Sequence, residues 1–362
     1  MLGRACVSLP FALLGACAAS GLELSSKNTT DITPPETLGT GQCLPCEGLF
    51  ARLEKAPDGK LQQSFQVELR GEPKSGTKLA WSWALGIAKH ICEHLRDMYG
   101  LETCRTEYAD DKRSPDMRMV FEPALARSDE PCSCEGISRV EIALSTRSKH
   151  RFAVPLDCRW THSGGIAHAG QGCWSVNGRP VENAADVWLC MKEASCEYSD
   201  NSIQFAVMRD PRAVAVSTYY HVLRNPNPKV DFVGKSLEEA VLLKLLQICQ
   251  FTTIRHILFD GQLSDRSKIF WYEDGMVDPL DWHYRWASLA GLTLPASWIN
   301  DIDATQVKAE QKVRRDRHPG GQEVSSNRTW EDEVSPEIRE EMDRIVRTWL
   351  PGALLDRLNI PA

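Results

Sequence analysis

The sequence predicts an α/β fold of three layers: a central, mostly parallel β-sheet flanked by helices. Two observations carry this. Apolar, strand-like runs alternate along the chain with segments of helical period, and three of those runs stop abruptly at polar or glycine-containing clusters. In a parallel sheet such stops line up beyond the strands' carboxyl ends, where ligands bind. A chain of 362 residues, 42% of them hydrophobic, is long and apolar enough for a sizeable core.

Residues 1–22 read as a signal peptide or signal anchor. Arg4 gives a positive start, Ala5 to Leu22 carry no charge, and the small residues from Gly15 to Ser20 suit cleavage. Several of the uncharged residues are Gly, Ser, Ala or Pro, which favours cleavage over anchoring. Residues 23–63, rich in Ser, Thr, Pro, Gly and charge, read as a stem. The folded domain spans 64–352 and a short C-terminal tail covers 353–362. Its first strand is Phe65-Gln66-Val67-Glu68-Leu69, which runs into a turn with Gly71, Pro73 and Gly76. Leu79, Trp83, Ile87, Ile91 and Leu95 then recur every four residues, predicting a helix from Thr77 to about Tyr99, before Gly100. A second strand, Ile203 to Met208, stops at Arg209-Asp210-Pro211-Arg212 and yields to a helix from Ala213. A third, Ile269 to Tyr272, ends in Glu273-Asp274, and a terminal helix covers Ile338 to Trp349. The stretch from about 101 to 200, with seven cysteines and several Gly-containing turns, reads as a cysteine-containing insertion on the substrate side.

Thirteen cysteines, eleven of them beyond the leader, together with that leader imply an oxidising lumen and several disulfides, with an odd thiol left over. Cys43-x-x-Cys46 and Cys132-x-Cys134 each lack a second ligand pair at zinc-finger spacing. Asn28-Thr29-Thr30 and Asn327-Arg328-Thr329 match the glycan acceptor pattern. The formal charge of −7 argues against a general polyanion binder and against a nucleic-acid partner, so an anion site has to be local.

Glu72-Pro73-Lys74-Ser75-Gly76-Thr77 has the makings of one. Successive N–H groups in a turn at a helix N-terminus, with a lysine and two hydroxyls, can hold a phosphate by charge and by the helix dipole. It is not a Walker A loop, in which the lysine follows the second glycine; here Lys74 precedes Gly76. His90 and His94 lie four apart on the predicted helix, but Glu93 precedes the second histidine instead of following the first, so the pair reads as helix surface.

The run from Val207 to His221, VMRDPRAVAVSTYYH, resembles the 3′-phosphate-binding segment of the sulfotransferases that use 3′-phosphoadenosine 5′-phosphosulfate (PAPS). Ile269-Phe270-Trp271-Tyr272-Glu273-Asp274 is similar to that family's Tyr-Glu-Asp strand, and Thr329-Trp330-Glu331-Asp332 to its terminal Trp-containing segment. The likeness spans most of 65–350. It implies the P-loop NTPase-like sulfotransferase fold. By the resemblance Pro73, Lys74, Ser75, Gly76, Thr77 and Lys78 hold the 5′ end of PAPS, Arg209 and Ser217 bind its 3′-phosphate, and Tyr272 lies near adenine. The sequence departs from the family at Lys78 and Leu79, where a hydroxyl residue and then Trp are usual. The family's Arg-Lys-Gly element is not matched in place, and the basic run 312–321, with Arg317, is the substitute.

The reaction so implied moves a sulfuryl group in line from PAPS to a hydroxyl or amine, a carbohydrate or other luminal acceptor, and releases adenosine 3′,5′-bisphosphate. Lys74 is the catalytic electrostatic element and no metal is required. For the base, His162 in Trp160-Thr161-His162-Ser163 is the nearest match to the family's Lys-Thr-His, with His150 as competitor and a glutamate as the carbohydrate-directed variant. Membrane contact is expected only through an N-terminal anchor, and the location is the Golgi lumen or the secreted space. Two rivals stay open: a P-loop-type kinase or other phosphotransferase, and a non-catalytic sulfated-glycan-binding protein on the same fold.

Overall fold

The structure, a computed structural model, describes residues 46–71, 74–99, 105–108, 117–121, 136–146, 158–162, 165–168, 175–176, 179–191, 195–196, 202–224, 234–262, 267–293 and 329–361, all within one compact unit, Pro35–Ala362. The expected leader 1–22, the triplet Asn28-Thr29-Thr30, Asn327 and Arg328 of the second triplet, Cys43, Cys132, Cys134 and the basic run 312–321 lie outside the described residues.

A 3₁₀ turn at Cys46–Leu49 leads into β1 (Glu54–Lys55), β2 (Leu61–Gly71) and helix α1 (Thr77–Tyr99). Next come β3 (Arg105–Tyr108), β4 (Met117–Phe121), β5 (Ile137–Thr146), β6 (Cys158–His162), β7 (Gly165–His168), β8 (Ser175–Val176), β9 (Arg179–Pro180), α2 (Ala184–Met191) and β10 (Ser195–Cys196). The second half holds β11 (Ser202–Met208), α3 (Pro211–Arg224), α4 (Leu237–Arg255) with a π-helical extension His256–Gln262, β12 (Ser267–Trp271), α5 (Tyr272–Val277) and α6 (Pro279–Leu289). A 3₁₀ turn at Trp330–Glu333 precedes the last two described helices, Pro336–Trp349 (α7) and Gly352–Arg357 (α8).

The main sheet has seven strands in the order β12-β11-β2-β5-β4-β3, with β1 also on β2. The pairs β12/β11, β11/β2 and β2/β5 are parallel. The pairs β5/β4, β4/β3 and β1/β2 are antiparallel. The sheet is therefore mixed, and the expectation of a mostly parallel one holds only for its β12-to-β5 half. Strand patterning records which face is buried and not which way the neighbour runs.

Both faces of the sheet are covered. Ile203, Phe205 and Val207 of β11 pack with Ala84, Ile87 and Ile91 of α1 and Trp282 and Trp286 of α6. Met208 at the end of β11, and Ile269 and Trp271 of β12, join residues of α3, α4, α7 and α8 in a second core cluster. Alternate strand residues thus feed opposite layers, as a two-residue period requires. α4 with its extension is long and apolar enough to cross a membrane, yet 61% of its apolar window is buried in the fold.

Three parts of the sequence reading change. Of the 101–200 stretch read as an insertion, β3, β4 and β5 belong to the main sheet, and β5 lies beside β2. Among the described residues of that stretch, the separate β10-β6-β7 and β8-β9 sheets and α2 stand apart from it. The end of the stem is core, since Leu49 and Phe50 are buried and Phe50 bridges to Leu292. The tail is a packed helix whose Leu354 and Leu355, with Ile360 beyond it, are buried. Cys92 and Cys190 are each disulfide-bonded, and Cys249 is a free thiol inside the core.

Candidate functional site

Strand order explains why three sequence-distant clusters can meet. β12, β11 and β2 are parallel neighbours, with Met208 opposite Trp271 and Val207 opposite Gly71, so the residues after each strand emerge at the same edge.

After β2 the chain turns sharply. Lys74 has φ +78° and Gly76 φ +98°, and Ser75 between them is buried. A non-glycine residue at positive φ costs about 1 kcal/mol or more and persists where surrounding structure holds it. At Lys74 the holder is Arg209, whose Nη1 donates to the Lys74 carbonyl at 3.3 Å across 135 residues of sequence. Ala80 N–H donates to the Gly76 carbonyl at 3.0 Å, which starts the ladder of α1. The N–H groups of that first turn have no intrahelical acceptor and, at the head of a 23-residue helix, carry the dipole's positive end.

Tyr272, the first residue of α5 and not the last of β12 as the sequence suggested, completes the cluster. Its ring lies against Gly76 so closely that a Cβ there would fall inside the van der Waals shell of ring carbon Cδ2, with Cε2 at 3.1 Å. The Arg209 guanidinium carbon sits 4.6 Å from the centroid of the same ring, a cation–π contact. Tyr272 thus reaches from β12 over the end of β11 to the loop after β2, with Arg209 between.

Arg209 itself makes no ion pair with any described residue. Asp210, its neighbour, is taken by Arg212, with Nη2 to Oδ2 at 2.7 Å and Nε to Oδ1 at 3.1 Å. Arg212 also donates to Asp343 of α7 at 2.6 Å and lies 4.6 Å from the Trp330 ring centroid. Among the described residues Arg209 Nε is buried with no hydrogen-bond partner.

Beneath Arg209, Asp210 N–H donates to Glu273 Oε1 at 3.0 Å. Burial pushes the Glu273 carboxyl above the usual range, an effect opposed chiefly by that N–H and reinforced by the Asp210 charge. The next residue, Asp274, accepts from Arg357 of α8, whose guanidinium also sits 5.4 Å from the Trp271 ring. Glu273 and Arg212 lie in the sequence motifs, which assign neither a role. A glutamate directly after an apolar strand, at an edge where arginine also falls, was the available signal.

The remaining expected residues are distributed as follows. Ser217 is half-buried on α3, the seventh residue of a helix that begins at Pro211, so it sits near the end of the second turn. Thr77 is the first residue of α1; the Lys78 side chain lies outside the described part. Pro73, His150 and Arg317 lie outside the described residues. His162 ends β6, paired with Gly165 of β7 in the separate three-stranded sheet; its side chain is not described.

His90, read as helix surface, is instead buried. Its ring is 4.4 Å from that of His94, and His283 of α6 lies near enough that the His90 charge helps depress its pKa. Among the described residues no group of three or more His, Cys, Asp or Glu is arranged to hold a metal.

Compared with protein-family models and with curated proteins, the chain matches neither a family nor a relative.

Proposed function

We propose that the chain is a PAPS-dependent sulfotransferase whose donor site is built on Lys74, Ser75, Gly76, Thr77, Arg209, Ser217 and Tyr272. The observation that carries this reading is the convergence of Lys74, Gly76, Arg209 and Tyr272 at one sheet edge, with Arg209 bound to a carbonyl and a ring and to no carboxylate of the described residues. An arginine so held keeps its full charge for an anion. The resemblance of the 207–221 run supplies the nucleotide class, and the lysine-before-glycine order separates the loop from Walker nucleotide hydrolases.

In the proposed reaction the acceptor oxygen attacks sulfur, the S–O bond to the 5′-phosphate breaks, and its electron pair leaves on the phosphate as adenosine 3′,5′-bisphosphate. Lys74 and the N–H groups opening α1 offset the charge growing on that oxygen. The hydroxyl proton passes to a base, for which His162 is the first choice and His150 the second. The proposal includes a luminal site of action, from the leader, and a carbohydrate hydroxyl as acceptor.

The test is transfer of labelled sulfate from PAPS to a panel of luminal and small-alcohol acceptors, with binding to immobilised adenosine 3′,5′-bisphosphate alongside. Lys74→Ala is expected to lower kcat by roughly 10²- to 10³-fold, the loss typical of removing one oxyanion-type donor. A folded Lys74→Ala protein that transferred sulfate at the wild-type rate would sink the proposal. So would magnesium-dependent binding of ATP in place of the bisphosphate, which is the kinase outcome.

A further inference from the structure

We propose that Glu273 is a proton-carrying member of the donor site, which takes up a proton when a phosphate group binds at Arg209 and then presents an O–H at Oε2. This rests on the donor-binding reading above.

The geometry is the starting point. Glu273 leaves β12 just where Asp210 leaves β11, and the Asp210 N–H fixes Oε1 at 3.0 Å. The other oxygen is different: among the described residues Oε2 is buried and has no hydrogen-bond partner, and the same holds for Arg209 Nε. A buried polar atom left unpaired costs about 1–3 kcal/mol, and more when charged, so two such atoms in neighbouring side chains need an explanation. An ion pair between them would satisfy both, yet none forms.

A phosphate group satisfies them together on one condition. Its oxygens accept from Arg209 Nε directly, but an ionised carboxylate can only accept and would repel it. A protonated Glu273 donates from Oε2 instead.

The surrounding charges favour that exchange. Facing Glu273 are Arg209, which favours the carboxylate, and Asp210, which opposes it; Asp274 on its own helix is held by Arg357. Burial outweighs the rest and already lifts the carboxyl above its ordinary range. A phosphate at Arg209 adds negative charge and offsets the guanidinium that opposed protonation, so binding draws a proton from solution.

Glu273→Gln separates this from a structural role. Its carbonyl can still accept from Asp210 N–H, and its amide N–H₂ stands where the O–H would be, with nothing to titrate. Adenosine 3′,5′-bisphosphate is titrated into wild type, Glu273→Gln and Glu273→Ala by calorimetry, in buffers of different ionisation enthalpy, from about pH 5.5 to 8. Wild type is expected to take up more protons per bound bisphosphate than Glu273→Gln, by up to one. Its affinity should fall with rising pH, by up to tenfold per unit, where that of the Gln variant is flatter. Glu273→Ala should bind more weakly than Gln at every pH.

Equal proton counts and equal pH slopes in wild type and Glu273→Gln overturn the inference while leaving the donor site standing. A Gln variant as weak as Ala at all pH values overturns it too, because the group would then act only as a scaffold. Absence of binding by folded wild type overturns the donor reading itself.

Discussion

Arg209 and Arg212 leave the same turn, three positions apart, and meet opposite surroundings. Arg212 is buried, held by both oxygens of Asp210, by Asp343 from α7 and by the Trp330 ring. Arg209 is given a carbonyl, an aromatic face and no carboxylate among the described residues. The difference teaches how a chain of net charge −7 can leave one arginine without a carboxylate partner, as the proposed anion site requires. Asp210 is committed to Arg212 and Asp274 to Arg357, and Glu273, the remaining carboxyl there, makes no ion pair with Arg209 and is held above its ordinary range by burial. One side of the turn ties the C-terminal segment to the sheet, which is packing. The other side leaves a guanidinium with no carboxylate partner among the described residues, which the proposed donor site would use for binding.

The largest effect expected from breaking this division is on stability. Arg212→Ala leaves Asp210 and Asp343 without their cation and uncovers Trp330, and removing one partner of a buried ion pair costs about 3–5 kcal/mol. Asp343 is 31% exposed, so the lower figure, about 3 kcal/mol, applies. Arg209→Ala should stay within about 1 kcal/mol of wild type, the worth of one hydrogen bond and its offsets, while weakening bisphosphate binding by tenfold or more. Urea unfolding and bisphosphate binding of both variants check the pair. Similar unfolding losses for the two would abolish the distinction.

His283 shows a third response to burial, and its effect should be nearly as large. Arginine cannot give up its proton, so Arg212 needs carboxylates; histidine can. Burial, with the His90 charge adding to it and Asp278 opposing, pulls the His283 pKa from 6.5 down to about 4. Below pH 6.5 the unfolded chain then binds a proton that the folded chain refuses until about pH 4. Stability therefore falls as the pH drops through that window. At 1.36 kcal/mol per unit the full loss is about 3 kcal/mol. Unfolding midpoints of wild type and His283→Phe between pH 7 and 4.5 check it: the wild-type curve should be the steeper. Parallel curves would mean that His283 is charged in the folded state.

How much of this could be read from residues alone follows from distance in the sequence. The helix α1 was legible to its ends because Ile87 and Ile91 belong to one stripe at four-residue spacing. β11 was legible because burial on both faces leaves a run that is apolar from Ile203 to Met208 except at Gln204. The loop and Arg209 were legible as motifs, and strand order then brings them together. The rest depended on partners far away. Arg212 is explained by Asp343, 131 residues on, and buried His90 by a helix that brings His283 to it. The strands β3 and β4 are short and irregularly spaced, and only their pairing with β5 shows that they belong to the sheet. α8, at six residues, is too short to show a period, although Leu354 and Leu355 are core.

The smallest effect sought is also the most local. Gly76 is the place where the loop accepts the Tyr272 ring, and the ring in turn carries Arg209. Gly76→Ala puts a Cβ into ring carbon Cδ2 at a φ of +98°, where an L-residue costs about 1–2 kcal/mol before any clash. The ring cannot move without shifting the guanidinium, so bisphosphate affinity should fall although neither Lys74 nor Arg209 is changed. A double-mutant cycle with Tyr272→Ala isolates the contact. With the ring gone, Gly76→Ala should cost only the backbone term, and the two substitutions should fail to add by about 1 kcal/mol or more. Strict additivity would show that the ring does not sit on the glycine, and the route from loop to Arg209 would then run through the Lys74 carbonyl alone.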